Sequence, residues 1–205
     1  MPVLASEFYE RHTTQVAEAL LGKRLVRRAR DGTTVGRIVE VEAYLHEQDS
    51  ACHAARGFTP GNAAMFGPAG RAYVYPIHSR YCFNAVTLRR GYPCAVLIRA
   101  VEPLDGIPLM QQRRGRTWLA DLARGPARLC QAFAIDGQLN HWDLTRGRRL
   151  WIDDELAQPA NWNIATSARI GVSAAQHLHL RYYVVDSPFV SGPRRLNTPV
   201  KESAG

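Results

Sequence analysis

The sequence predicts a mixed α+β domain, and three observations carry that expectation. Arg37–Tyr44 alternates apolar and polar side chains, and Ala95–Val101 is an almost continuous apolar run, so both have strand character. Val16, Ala19 and Leu20 recur at helical spacing, and Gly125-Pro126 opens a further helical segment. No linker, repeat or low-complexity block divides the 205 residues, and at 46% hydrophobic they suffice for one sizeable core. A single domain over 1–205 is expected, ending in a polar tail from about 198.

The first twenty residues contain Glu7, Glu10 and Arg11 and no long apolar run, so neither a secretory signal nor a membrane span is expected there, and the protein should be intracellular. Thr13 and Thr14 are candidate N-caps for the first helix, and Gly22 is its candidate stop. Lys23–Arg27 alternates as a strand, and Asp31-Gly32 signals a hairpin into the strand Arg37–Tyr44. In that strand Ile38, Glu40, Glu42 and Tyr44 should share one face, with Arg37, Val39, Val41 and Ala43 on the other. Leu45–Gly70 lacks a sustained period and reads as a long connection, of the kind that is often functional. Ala72–Tyr75 is a strand that puts Tyr73 and Tyr75 on one face, followed by the polar cluster His78, Ser79, Arg80. Arg99 interrupts the apolar strand and needs either a carboxylate partner or the edge of an anionic site. Pro108–Arg114 leads to Arg113, Arg114 and Arg116, which suit a solvated helix end or a DNA contact equally well. The helix after Gly125-Pro126 turns Leu129 and Phe133 inward and leaves amides free for a phosphate. Leu178–Val185 is the last strand, and Ser187-Pro188 ends it.

Lys and Arg number 26 against 18 for Asp and Glu, a net charge of +8 that favours a polyanionic partner, nucleic acid before an acidic membrane. Cys52, Cys82, Cys94 and Cys130 lack metal-type spacing, so free and mostly buried thiols are expected. The histidines and carboxylates also lack a spaced ligand set, and there is no glycine-rich nucleotide loop, so no metal and no cofactor are expected. Taken singly, the carboxylates and tyrosines between Arg37 and Asn84 suit a half-exposed sheet face.

Their order is more specific. Glu42-Ala-Tyr44, His53 nine residues later, Met65-Phe-Gly67, Tyr73-Val-Tyr75 and Asn84 nine residues after Tyr75 resemble the alkyladenine, or 3-methyladenine, DNA glycosylase family. The similarity continues through Arg99-Ala-Val-Glu-Pro-Leu, Gly125-Pro-Ala-Arg-Leu-Cys-Gln-Ala, Ala168-Arg-Ile-Gly-Val and Ser187-Pro-Phe-Val-Ser, from about Phe8 to Ser191. The resemblance implies a curved, mainly antiparallel sheet with surrounding helices. It further implies a monomer that flips damaged purines out of double-stranded DNA, 3-methyladenine first, and hydrolyses them away to leave an abasic site. Located by cell type, such an enzyme works in the bacterial cytoplasm and nucleoid or the eukaryotic nucleus. By similarity Glu42 is the catalytic carboxylate, with Glu40 as internal competitor; Tyr44, His53 and Tyr75 sandwich the base, and Asn84 crowds the amino group of normal guanine. Arg99 and Arg128 match phosphate contacts. His78 stands where relatives carry a Tyr that wedges into the DNA, and the interval from there to Asn84 is one residue shorter than in the family. Two rival readings remain: a binding module without catalysis, and a metal-dependent hydrolase built on Asp49, His46 and His53.

Overall fold

The long strand Gly32–Tyr44 organises the structure, because three other strands pair with it. The computed structural model describes residues 2–155 and 162–197, so the expected tail from about 198 lies outside the described residues. In chain order the helices are α1 (Ser6–Tyr9), α2 (Thr13–Leu20), α3 (Ile107–Arg114) and α4 (Pro126–Ala132). The strands are β1 (Arg24–Ala29), β2 (Gly32–Tyr44), β3 (Ala72–Ile77), β4 (Arg80–Thr87), β5 (Cys94–Asp105), β6 (Leu150–Asp153), β7 (Ile164–Ser167) and β8 (Arg181–Val184). The sheet runs β3-β4-β5-β2-β1-β6, with β8 on β2 and β7 on β8, and every pairing between these strands is antiparallel. The fold is α+β, as its sequence predicts.

The hairpin at Asp31-Gly32 forms, pairing Ala29 with Gly32 and Arg24 with Arg37. Beyond Arg37 the edge of β2 changes partner, and Glu40, Val41 and Glu42 pair with Tyr183, Tyr182 and Arg181 of β8. On the opposite edge, β5 pairs with β2 out to Tyr44. That ladder slips three times, once between Val35 and Gly36 and twice more where Ile38 faces Val101, Glu40 faces Ala100, and Val41 faces Ile98. The irregularity corrects the simple alternation expected of this strand. Ile38 joins Val41 and Ala43 in the main core, whereas Val39 packs with Ala100 and Tyr183 in a separate cluster. A bulge changes which face a residue occupies, and here it separates Ile38 from Glu40 and Glu42.

In α2, the helix expected from Val16, Ala19 and Leu20, the residues Val16, Ala17 and Leu20 are buried, so Ala17 and not Ala19 completes its inner face. Neither threonine caps it: Thr13 bonds Thr87 across the core at 2.9 Å and Thr14 bonds His12 at 2.8 Å. Strands β4, β6 and β7 are absent from the expectation drawn from sequence. For β4 the reason is its turn, where His78 itself takes φ 52° between Ile77 and Arg80, with no glycine to advertise the hairpin. All four cysteines are free and buried, and burial pushes the Cys52 thiol up to about 12.

The Phe133 ring, just after α4, reaches the sheet beside Val101 because β2 has no side chain at Gly36. A Cβ on Gly36 would stand 2.6 Å from Val101 Cγ2 and 3.0 Å from Phe133 Cζ. Gly36→Ala should therefore destabilise the fold by about 1–3 kcal/mol through overpacking. Urea unfolding measures this; an unchanged midpoint would mean that helix and sheet separate at no cost.

Candidate functional site

An open cavity of about 820 Å³ forms beside the outer half of β2, within the range of small-molecule and base-sized sites. Tyr44, His53, Tyr75, Asn84, Arg99 and Ile170 are among its lining residues. Five of the residues singled out from sequence thus converge, or six with Glu42, whose hydrogen-bond partners Tyr44, Arg99 and Ile170 all line the cavity. The Glu42 carboxylate is fully buried behind that wall. Its Oε1 accepts from the Ile170 amide at 2.7 Å, and its Oε2 accepts from the Tyr44 hydroxyl at 2.9 Å and Arg99 Nη1 at 3.2 Å.

Glu40 is equally buried but differently engaged. Its Oε1 accepts from Arg99 Nε at 3.0 Å and Arg181 Nε at 2.7 Å, and its Oε2 accepts from the Ser191 amide at 2.7 Å. Burial alone would raise its pKa, but Arg99 and Arg181 outweigh burial and hold it below the usual carboxylate range. Glu40 therefore serves as the anion that two buried guanidiniums require. Arg99 resolves the alternatives left by its sequence: it is 6% exposed and divides its nitrogens among Glu40, Glu42 and Ser191 Oγ. A buried guanidinium is stable only when its donors are matched, and these three partners match them.

Each aromatic wall is fixed by a different element. Tyr44 ends β2; its hydroxyl donates to Glu42, while the Arg169 guanidinium lies 4.6 Å from the ring centroid. Burial first, then the nearby Glu42, raise the Tyr44 phenol far above its ordinary pKa, so it stays a donor. His53 lies within the connection after β2, pairs Nδ1 with Tyr73 Oη at 2.9 Å, and sets its ring 4.5 Å from that of Tyr75. Burial lowers its pKa, which favours the neutral imidazole. Asn84 on β4 donates through Nδ2 to the Tyr73 carbonyl at 3.0 Å, which fixes its amide.

The remaining candidates sit apart from that wall. His78 occupies the exposed β3–β4 turn, and it is its neighbour Ile77, 42% exposed, that lines the cavity. Arg128 lines a second cavity of about 460 Å³ together with Arg99, Arg124 and Gly125, and is ion-paired with Asp121. Arg113 is bound to Asp31 and the Ala132 carbonyl, and Arg114 to Gln131 and the Leu122 carbonyl, so both brace the fold. Of the residues in the rival metal reading, Asp49 is taken by Arg169, His53 by Tyr73, and His46 packs edge-on to Tyr92. Among the described residues no group of three His, Cys, Asp or Glu side chains is placed to hold a metal ion, and no helix is long and apolar enough to cross a membrane.

Ile77, Arg124, Arg169, Ile170 and Arg181 have no assigned role in the sequence reading. Arg169 and Ile170 lie in the matched stretch Ala168-Arg-Ile-Gly-Val, which marks the segment but cannot say that its contacts are with Asp49 and Glu42.

A family profile described as methylpurine-DNA glycosylase matches residues 7–188. A relative from Methanocella arvoryzae, named "Putative 3-methyladenine DNA glycosylase", is 45% identical, over 93% of this chain and 96% of its own length. Relatives of the same name from Chlorobaculum parvum, at 45% over 98% of this chain and 96% of theirs, and from Carboxydothermus hydrogenoformans, at 44% over 92% and 98%, are similar to it.

The lowered pKa of Glu40 has a signed consequence for stability. Its folded value lies below its unfolded value, so its contribution is complete above the ordinary range near pH 4.3 and is lost as pH falls below that. Glu40→Gln should cost about 3–5 kcal/mol at neutral pH, since it leaves two buried guanidiniums short of an anion, and should flatten the acid limb. Urea unfolding from pH 3 to 7 tests this; an acid limb as steep as that of the wild type would exclude Glu40 as its source.

Proposed function

The chain belongs to the methylpurine-DNA glycosylase family, and on that basis we propose that it flips a damaged purine, 3-methyladenine first, out of double-stranded DNA and hydrolyses its glycosidic bond. The single observation that carries this reading is a buried carboxylate behind an aromatic cavity: Glu42 is held by Tyr44, Arg99 and the Ile170 amide, all at the cavity wall. Cleaving a base from its sugar builds positive charge on the sugar ring. A carboxylate there opposes that charge and takes a proton from the attacking water. No lysine lines the cavity among the described residues, and hydrolysis to an abasic site needs none.

In this reading the base lies between Tyr44 on one side and His53 and Tyr75 on the other, whose flat faces accept many purines. Asn84, anchored on the Tyr73 carbonyl, stands against the amino group that distinguishes guanine. Arg99 orients Glu42, and the phosphate contacts fall to Arg128 and to Arg124, which line the second cavity together, Arg124 being anchored through Nε on the Val190 carbonyl. His78 at the hairpin tip enters the gap left in the stack, with Ile77 beneath it as an apolar support. The enzyme works as a monomer.

Glu42→Gln should slow base release about a hundredfold to ten-thousandfold while retaining affinity for duplex DNA. Single-turnover release of free base from a methylated duplex measures it. Release at the wild-type rate by Glu42→Gln, or none by the wild type, would sink the assignment. For the hairpin, His78→Tyr should bind a duplex carrying an abasic analogue several-fold more tightly than the wild type and His78→Ala several-fold more weakly, because unstacking costs a few kcal/mol that a larger plug offsets. Equal affinities of the three would move the wedge to Ile77.

A further inference from the structure

The ring of Tyr44 has two faces, and one of them is taken by a cation that never reaches the cavity. Arg169 is 4% exposed and its guanidinium lies 4.6 Å from the ring centroid. It is absent from the cavity lining, whereas Tyr44 and the next residue, Ile170, are present. The face of Tyr44 turned to the cavity is therefore not the one that Arg169 covers. Arg169 is in turn bound by Asp49 in a two-pronged pair, Nη1 to Oδ2 at 2.7 Å and Nη2 to Oδ1 at 2.6 Å, with both side chains fully buried. The same carboxylate accepts the amides of Leu45 and Ala51, and Nη1 of Arg169 also donates to the Ala43 carbonyl. Burial opposes ionisation of Asp49, but its hydrogen bonds with Arg169 prevail and hold its pKa below the ordinary value.

A cation over an aromatic face draws on the ring's negative quadrupole, the same feature that attracts a positively charged base to the other face. Purines alkylated on a ring nitrogen without loss of a proton are cationic in DNA; deaminated purines are neutral. An unbalanced Arg169 would therefore repel the first class and leave the second alone. Around the cavity wall, the ion pairs balance: Glu40, Glu42 and Asp49 face Arg99, Arg181 and Arg169. Arg56 also lines the cavity, but it is exposed and screened by solvent.

We propose that the Asp49–Arg169 pair is a specificity-determining device, in which Asp49 neutralises the cation behind Tyr44 and so keeps the cavity face of that ring attractive to cationic, alkylated purines. The proposal rests on the reading of Tyr44 as a base-stacking residue and deepens it. Arg169 and Asp49 touch no substrate; they act through Tyr44, and the Ile170 amide on Glu42 is held by the same segment.

The test is the ratio of single-turnover release rates for 7-methylguanine, a cation, and hypoxanthine, a neutral base, each placed singly in the same duplex. A ratio cancels the fraction of folded enzyme and any general loss of Glu42 positioning, which a merely structural role would affect equally for both bases. Asp49→Asn should lower the cationic-to-neutral ratio by about tenfold, the order expected for one uncompensated charge beyond the ring at an intermediate dielectric. Arg169→Gln, which leaves the opposite charge uncompensated, should raise it. The double variant should return to within about threefold of the wild type, because it restores the balance. If Asp49→Asn does not fold, Arg169→Gln and the double variant carry the comparison, and melting temperatures identify that case. A ratio equal to the wild type's in every folded variant overturns the proposal. Release of neither base by the wild type would overturn the functional reading, and the proposal with it.

Discussion

One buried guanidinium holds the structure and its candidate site together. Arg99 sits in β5 where the ladder with β2 slips, and it bonds Glu40 and Glu42 at once while its third nitrogen reaches Ser191. Two carboxylates on one side of a strand would repel if left alone in a medium of low dielectric. The planar fork of arginine meets both, and Arg181 from β8 supplies the second positive charge. The consequence is mechanical as well as electrostatic. β2, β5, β8 and the segment around Ser191 are tied at one point, so Glu42 cannot move without disturbing four parts of the chain.

That rigidity passes to the cavity through Tyr44. Its hydroxyl is fixed on Glu42, one face of its ring is fixed by Arg169, and what remains for a ligand is the face toward the cavity. His53 and Asn84 are held through Tyr73, by its hydroxyl and its carbonyl respectively, so this second tyrosine sets two further elements of the wall. The side chains that would meet a base therefore stand already oriented by partners behind them, which lowers the reorganisation needed when charge develops. The β3–β4 hairpin is different: from Pro76 to Arg80 it is exposed, and only Ile77 and Pro76 of its tip line the cavity. The wall is thus fixed from behind, whereas the hairpin tip stands in solvent.

The division between what could be read along the chain and what could not follows the range of the interactions. Strand character in Arg37–Tyr44 and Ala95–Val101, the hairpin at Asp31-Gly32 and the helix after Pro126 rest on local periodicity and turn chemistry, and these appear in the structure. The residue order from Glu42 to Asn84 likewise pointed to the members of one site, and the cavity gathers Tyr44, His53, Tyr75 and Asn84 with Glu42 behind them. Hidden from the sequence were the bulge that puts Ile38 in the core apart from Glu40, the hairpin carried by a histidine at positive φ, and the partners of every buried charge. Arg99 could be recognised as needing an anion, but its choice of Glu40 and Glu42 spans 59 and 57 positions, and that of Arg169 for Asp49 spans 120. The chain by itself determined which residues are chemically able to act, because side-chain type and local spacing are written in it. Tertiary structure alone decided which carboxylate is spent on stability and which stands at the cavity wall, because that depends on the solvation and charge that distant segments bring to each.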